Sequence, residues 1–425
     1  MNIQLAKGVN DIPPEEKIVM NQAVETIKSV FELYGFAPLE TPLLERWETL
    51  AAKFAAGEAS DALKETFKLK DQGGRDLGLR FDLTVPLARF IAMNPTLKMP
   101  FKRYEMGIVF RDGPIKAGRV RQFWQCDADV VGNSSLMAEA ELLSIFQEVF
   151  FRLGLPVVVK VNNRKLLNGI LEQAGVDEKE KAIVAIDKLD KIGKEGVSKE
   201  LQERGCSRKQ AESIFSLIRE GITLKELKQN ITTEEGKQGL TELEELFSNL
   251  KALQMTVAQF DVSLARGLAY YTGTVAEVFL KKGTITSSLG SGGRWDNMIG
   301  QFRGGNQVVP AVGISFGLVP IGEALKLQQK TVQKTPTQVL VIPINTLSES
   351  LQVAQELRKA GISTDFASAK KGVSKNLEYA SALGIPYVVI LGEDELKKKK
   401  VNLRDMKSGT EQLLNVKDVV KRLGS

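Results

Sequence analysis

The chain of 425 residues has room for two or three domains, and no apolar run in it is long enough to cross a bilayer. Lysines and arginines number 58 against 52 aspartates and glutamates, a net charge of +6 with a pI near 9.0, which suits a polyanionic partner without requiring one. There is no histidine and there are only two cysteines, Cys126 and Cys206, which excludes imidazole-based catalysis, a disulfide framework and a zinc cluster.

In chain order, the spacing of Met20, Val24, Ile27, Phe31 and Tyr34 predicts an amphipathic helix from about Pro13 to Tyr34, ended by Gly35. The N-terminus, MNIQLAKGVND, lacks the basic-then-apolar layout of a secretory signal, and with the cysteine usage this points to a reducing, cytoplasmic setting. A turn at Asp71-Gln72-Gly73-Gly74 leads to a strand predicted over Leu77 to Leu83, with Asp82 and Thr84 at its end, where a short polar pair ordinarily forms a turn or cap. FRDGPIKAGRVRQFWQCDADVVG (Phe110 to Gly132) reads as a β-hairpin whose loop carries Arg111, Arg119 and Arg121. Its second strand alternates Gln125, Asp127 and Asp129, and period-two side chains share one face. Guanidinium groups at one end and carboxylates at the other suit a zwitterion beside a polyphosphate, although the same spacing also describes an ordinary solvated hairpin.

A buried helix is expected over Ala138 to Leu153, then a strand over Val157 to Val161. From about Lys165 to Leu250 the pattern is charged and helical, with Ser207/Gln210, Thr223/Glu226 and Thr241/Glu244 fitting capping boxes. Strand character returns over Asp261 to Leu280, a stretch that includes Arg266, Tyr270 and Tyr271. Gly290, Gly292 and Gly293 then suggest a tight turn, which serves either the turn alone or a close approach of backbone to a ligand. A polar linker, Leu327 to Thr337, precedes a βαβ pattern: strands at Val339 to Ile344, Ile362 to Phe366 and Tyr387 to Leu391, helices at Ser348 to Ala360 and Ser374 to Leu383. This alternation implies a mixed or parallel sheet covered by helices. The lysine run at Lys397 to Lys400 is expected to be a solvated edge that discourages strand pairing.

FRDGP…GRVRQFWQCDADVVG resembles the second signature motif of class II aminoacyl-tRNA synthetases, in the form found in histidyl-tRNA synthetases. LARGLAYYTGT (Leu264 to Thr274) resembles the element peculiar to the histidine enzymes, the Pro42 segment resembles motif one, and AVGISFGLVPIGEA (Ala311 to Ala324) resembles motif three. The resemblance covers nearly the whole chain. It implies an α+β catalytic domain with an antiparallel sheet over 1–164 and 251–326. A helical insertion at 165–250 would touch the tRNA acceptor arm, and 337–425 would be a C-terminal α/β anticodon-binding domain.

The same resemblance implies a homodimeric ligase that joins histidine to tRNA at the expense of ATP with Mg²⁺, with no protein-bound zinc. It assigns Asp82, Thr84 and Gln125 to the amino acid's ammonium group, and Asp129 and Tyr271, with Tyr270 beside it, to the imidazole. Arg111 would bridge the α-phosphate and the carboxylate, Arg266 would take a role often given to a metal ion, and Arg119 would reach the outer phosphates. Gly292 and Arg294 would complete the ATP site, and Lys116, Lys370, Lys371 and Lys375 would meet tRNA phosphates. Two departures from the family's pattern stand out. Gly113 replaces the glutamate that usually follows the motif-two arginine, and Pro320 replaces the arginine that ends motif three. Arg119, Arg294 or Lys116 would then supply the missing charge. The rival reading is a synthetase-like regulatory or histidine-sensing protein without ligase turnover. Regulatory relatives lack a C-terminal domain of this kind, whereas Pro320 favours a sensor.

Overall fold

The computed structural model describes residues 3–52, 64–115, 120–266, 270–305, 307–328, 334–367 and 372–424. Its compact units are two: one falls within 1–10 and 23–325, the other within 11–22 and 326–425.

The first unit contains strands β1 (Ala37–Pro38), β2 (Leu44–Arg46), β3 (Lys68–Lys70), β4 (Asp76–Leu79), β5 (Phe101–Phe110), β6 (Gln122–Val131), β7 (Val157–Asn163), β8 (Ala258–Phe260), β9 (Thr274–Leu280), β10 (Gly290–Arg294) and β11 (Ala311–Gly317). Eight of these form one sheet in the order β1-β5-β6-β11-β10-β9-β7-β8, and β2, β4 and β3 form a small separate one. The large sheet is antiparallel through its middle and parallel only at its two edges, β1 with β5 and β7 with β8.

Period-two alternation gives this sheet two chemically different faces. On one, Cys126 of β6 stands beside Phe316 of β11. Phe316 packs edge-on against Phe146 at 4.9 Å and near Phe150 and Phe31 at 5.6 and 5.8 Å between ring centroids. Phe146 and Phe150 come from the helix Met137–Arg152, and Phe31 from the helix Pro14–Leu33, whose Ala23, Ile27 and Val30 are also fully buried. The other face is polar and is described with the site below.

Several elements differ from the sequence expectation for local reasons. The strand ahead of Thr84 stops at Leu79, because the Arg80 side chain turns inward to Glu105 and the Asp82 carboxylate caps the helix Thr84–Met93 by accepting from the Val85 N–H. Arg266, Tyr270 and Tyr271 lie in the chain between β8 and β9 and belong to neither strand. Gly290, Gly292 and Gly293 form β10, an interior strand instead of a turn.

The helical module consists of Arg164–Gln173, Lys179–Ile186, Leu189–Glu203, Arg208–Leu217, Leu224–Asn230 and Glu234–Ala252. Ser207/Gln210 and Thr223/Glu226 form capping boxes. Thr241 does not: it lies inside the helix Glu234–Ala252, and its hydroxyl donates to the Lys237 carbonyl. That helix crosses Arg164–Gln173 with backbones almost touching, since a Cβ on Gly169 would fall 2.3 Å from the Gly236 Cα.

In the second unit, β12 (Val339–Pro343), β13 (Thr364–Phe366), β14 (Tyr387–Leu391), β15 (Val401–Asp405) and β16 (Glu411–Leu414) form a mixed sheet ordered β13-β12-β14-β15-β16. Val339 and Val341 face a core shared with the helices Leu347–Lys359 and Val416–Leu423. The intervening Leu340 and Ile342 face the helix Val373–Leu383 on the other side. Two covered faces explain why β12 and β14 are continuous apolar runs. Lys397 to Lys400 are exposed but lead into β15, an interior strand, so they do not guard a sheet edge.

Candidate active site

The polar face is set by ladder register. Arg103 of β5 lies opposite Asp129 of β6, Glu105 opposite Asp127, and Gly107 opposite Gln125. On the far side of β6, Gly313, Ser315 and Gly317 of β11 oppose Asp129, Asp127 and Gln125. Ser291 and Gly293 of β10, then Glu277 of β9, continue the same face. Glycines thus alternate with polar side chains along its floor, and side chains from neighbouring segments fill the spaces they leave. Tyr271 lies on Gly293, where a Cβ would come within 2.8 Å of its ring. Arg80 reaches over Gly107, where a Cβ would fall 2.2 Å from its Nη2.

Charge is concentrated on that face. Arg80 donates to Glu105 Oε1 at 2.6 Å, and Thr41 donates to the same oxygen from both its N–H and its hydroxyl. Arg103 is fully buried; its Nη2 donates to the Leu83 carbonyl and lies 2.9 Å from Asp129 Oδ2. The aligned N–H serves Leu83, so Asp129 holds an ion pair without a well-directed hydrogen bond. Burial pushes the Asp129 carboxyl up to about 6, with Arg103 and Trp295 opposing and Asp82 and Glu105 adding. Burial pushes Asp127 further, to about 8, with Asp129 and Asp82 adding and Arg103 and a hydrogen bond from Ser315 opposing. Arg103 and Glu105 are not among the residues singled out from sequence. Their alternation in FKRYEMG mirrors that of Gln125, Asp127 and Asp129, and pairing the two strands in register would have found them.

Two arginines border this face. Arg111 follows β5; its Nε donates to the Phe81 carbonyl at 3.2 Å, and its guanidinium lies 5.1 Å from the Phe123 ring centre. One side of Arg111 is open to solvent, yet enough protein surrounds it that desolvation lowers its pKa; the Arg266 charge adds to this, and Asp82, Tyr270 and Glu65 oppose it. Arg266 pairs with Glu277 and lies 6.0 Å from the Tyr271 ring centre. Burial works against its charge, but Tyr271, Glu277, Tyr270 and Asp187 hold it above the usual range. Tyr270 and Tyr271 lean together at 4.6 Å. Asp82, Gln125, Asp129, Arg111, Arg266, Tyr270 and Tyr271 are therefore gathered at one site, with Thr84 at the start of the helix after Asp82.

Arg294 and Gly292 are not part of it. Strand parity sends both toward the helix-covered face, where Arg294 is bound by Glu139 through Nε at 2.6 Å and Nη2 at 2.7 Å. Its Nη1 is taken by the Asn133 carbonyl and Asp296. The expectation that Arg294 supplies charge to a phosphate is thereby corrected. A Cβ on Gly292 would strike the Gly313 carbonyl at 2.3 Å, so this glycine is required by strand packing. Lys116, Arg119, Lys370 and Lys371 lie outside the described residues; Lys375 is exposed on the helix Val373–Leu383. Pro320 lies in the first turn of Leu318–Gln328, a position that tolerates its missing N–H. At Gly113 the space of a side chain is taken by Glu65, whose carboxylate atoms lie 2.8 to 2.9 Å from where a Cβ would be.

Known proteins resemble this chain over nearly its whole length. Residues 8–321 match the family model for histidyl-tRNA synthetase, and residues 338–425 match that for the anticodon binding domain. A histidine–tRNA ligase from Bacillus cereus is 46% identical over 417 residues, covering 97% of this chain and 95% of that protein. One from Clostridium tetani is 38% identical over 429 residues, covering 97% and 96%. The crystal structure of histidyl-tRNA synthetase from Nostoc superposes with a TM-score of 0.87 at 34% identity, covering 100% of this chain and 99% of that one. The chain belongs to the histidyl-tRNA synthetase family.

Proposed function

We propose that this chain is a histidine–tRNA ligase, which activates histidine with ATP to histidyl-adenylate and transfers the histidyl group to the 3′ end of tRNA(His). The observation that carries the reading is the single polar face on which Arg111 and Arg266 border Asp82, Gln125, Asp129 and the Tyr270–Tyr271 pair. In the first step the histidine carboxylate attacks the α-phosphorus and pyrophosphate leaves. Two anions must meet, and no proton has to be removed from a carboxylate at neutral pH. Fixed positive charge and alignment are what the reaction needs, and a chain without histidine supplies both.

In this reading Arg111 sits between the α-phosphate and the amino acid carboxylate, and Arg266, oriented by Glu277, neutralises the anions at the reacting centre. Asp82, Thr84 and Gln125 take the ammonium group, while Asp129 and Tyr271 take the two imidazole nitrogens. A site that hydrogen-bonds its substrate in this way rejects analogues lacking those groups by roughly 10⁴–10⁵. Mg²⁺ arrives with ATP, held by its phosphates. Residues 165–250 would meet the acceptor arm and 337–425 the anticodon, with Lys375 among the phosphate contacts. A homodimer working in the cytoplasm, where tRNA is charged, completes the proposal. Histidine-dependent ATP–pyrophosphate exchange and charging of tRNA(His) test it directly: exchange without charging would leave activation but remove the ligase.

Pro320 favours a second reading, a histidine sensor. A proline side chain has neither charge nor donor for a γ-phosphate, and with Arg294 bound to Glu139 one candidate replacement is lost. Histidine binding with no exchange at saturating ATP would support the sensor.

A further inference from the structure

β8 is an edge strand of the large sheet, and once Asp261 has donated its N–H to the Val161 carbonyl the chain leaves the ladder. Polar side chains at alternate positions along β7 then hold the next residues in order, as far as Arg266. Lys160, opposite Glu277 on the polar face, pairs with Asp261 at 2.9 Å. Asn162 donates from Nδ2 to the Val262 carbonyl at 2.9 Å and to the Leu264 carbonyl at 3.0 Å. Arg164 stands where the strand gives way to the helix Arg164–Gln173, and its Nη1 donates to the Arg266 carbonyl at 3.2 Å. Asn162 is fully buried and Arg164 is 6% exposed. Both partners of Asn162 are carbonyls, which only accept, so the amide must face them with its nitrogen. Its Oδ1 is buried without a hydrogen-bond partner among the described residues. A buried asparagine that leaves its acceptor unmet is costly unless its donors do something that an apolar residue of the same shape could not.

What those donors hold is the backbone that leads to Arg266. The other end of Arg266 is fixed separately, by the pairing of its guanidinium with Glu277 of β9, the antiparallel neighbour of β7. Asn162 and Arg164 set where the Arg266 main chain stands, and Glu277 sets where its charge points. We infer that Asn162 and Arg164 are positioning residues for the proposed reaction, holding the main chain of 262–266 so that the Arg266 charge stands at the reacting centre. The inference rests on the ligase reading, in which Arg266 neutralises the anions that meet there. Preorganised charge is effective only in place, and a misplacement of about 1 Å costs on the order of a hundredfold in rate.

The experiment measures histidine-dependent ATP–pyrophosphate exchange, per folded protein, in Asn162→Leu and Arg164→Met, which keep approximate shape and remove the donors. Each should lower kcat by roughly ten- to a hundredfold, with the KM for histidine and for ATP changed far less. Arg164→Lys, which keeps a charged donor, should retain more of the rate than Arg164→Met. A cycle with Arg266→Ala gives the reading that a general loss of packing would not. Once the Arg266 side chain is gone, adding Asn162→Leu or Arg164→Met should lower the rate by less than about twofold, because residues that act as a unit are not additive. Equal losses with and without the Arg266 side chain overturn the inference, as does an unchanged kcat in both single variants. Should Asn162→Leu fail to fold, the Arg164 variants decide by the same criteria. An unmodified protein that catalyses no exchange overturns the ligase reading itself, and the inference with it.

Discussion

Glu139 and Arg294 close a two-pronged ion pair, 2.6 and 2.7 Å long, on the helix-covered face of the large sheet. The pair ties the helix Met137–Arg152 to β10, and both side chains are almost completely buried. Removing one partner of such a pair leaves an uncompensated buried charge, which costs about 3–5 kcal/mol. Arg294→Ala is therefore expected to lower the unfolding free energy by that amount in denaturant titrations. In whatever protein folds, the KM for ATP should be unchanged. Replacing both partners with apolar residues, Arg294→Met with Glu139→Leu, should recover most of the loss. A raised KM for ATP at unchanged stability would return Arg294 to the phosphate site.

Gly113 and Glu65 make a second such test. Gly113 stands where the motif that this hairpin resembles usually has a glutamate, so Gly113→Glu looks like a restoration. The structure argues the opposite, because the Glu65 carboxylate already fills the space beside Gly113. A second carboxylate there meets the first at contact distance, and Glu65 also attracts Arg111. Gly113→Glu should weaken ATP use, seen as a rise in KM, and adding Glu65→Gln should relieve it. Improved kinetics in the single variant would show that Glu65 yields without cost.

How much was legible in the sequence depends on what kind of information each element carries. The hairpin of β5 and β6, the βαβ pattern after the linker and two of three capping boxes are local signals, and the chain follows them. The third, Thr241 with Glu244, fails because Leu240, Leu243, Leu246 and Leu250 keep one helix packed and buried across it. Ser207→Ala should accordingly cost about 1 kcal/mol as the loss of a cap. Thr241→Ala should be neutral or slightly stabilising, since alanine is the better helix former by up to about 0.7 kcal/mol. Thermal melts of both variants check this, and equal losses would contradict the helix boundary.

The site was partly legible for a related reason. Motif residues named Arg111, Gln125 and Asp129, but which face a residue serves depends on strand parity and on partners far away in sequence. Gly292 and Arg294 each adjoin Gly293 of the polar face in the chain, and β10 being a strand instead of a turn sends them to the opposite side. Arg103, Glu105 and Ser315 became visible only once β5, β6 and β11 were in register.

Gly313 shows how tightly that register is used. A Cβ at this position would fall 1.9 Å from Asp129 Oδ1, which is backbone-fixed space occupied by a charged side chain. Gly313→Ala must rotate the Asp129 carboxylate away from its present place. If Asp129 selects the imidazole, histidine affinity should drop by roughly tenfold or more, about 1.4 kcal/mol, while ATP binding in the absence of histidine stays as it was. Calorimetry with each ligand separately distinguishes these. Unaltered histidine affinity would mean that Asp129 is not in contact with the amino acid.

The last expectation separates Arg266 from Asp129. Arg266 is held over Tyr271 by Glu277, close enough to Arg111 for their charges to interact. In the proposed reaction neither ground-state ligand needs both arginines, whereas the transition state, where carboxylate and phosphate meet, does. Arg266→Ala should cut the exchange rate on the order of 10²–10³, the usual scale for losing one preorganised electrostatic donor, and change the KM for ATP little. Asp129→Asn should instead raise the KM for histidine and weaken discrimination against analogues, with the rate at saturation less affected. Glu277→Gln acts on Arg266 through its orientation and should reproduce a milder form of the first pattern. If Arg266→Ala changes only the KM for ATP, its charge serves the phosphates in the ground state and not the reacting centre. If Arg266→Ala and Asp129→Asn give the same kinetic split, the division of the polar face into a reacting end and a recognition end is wrong.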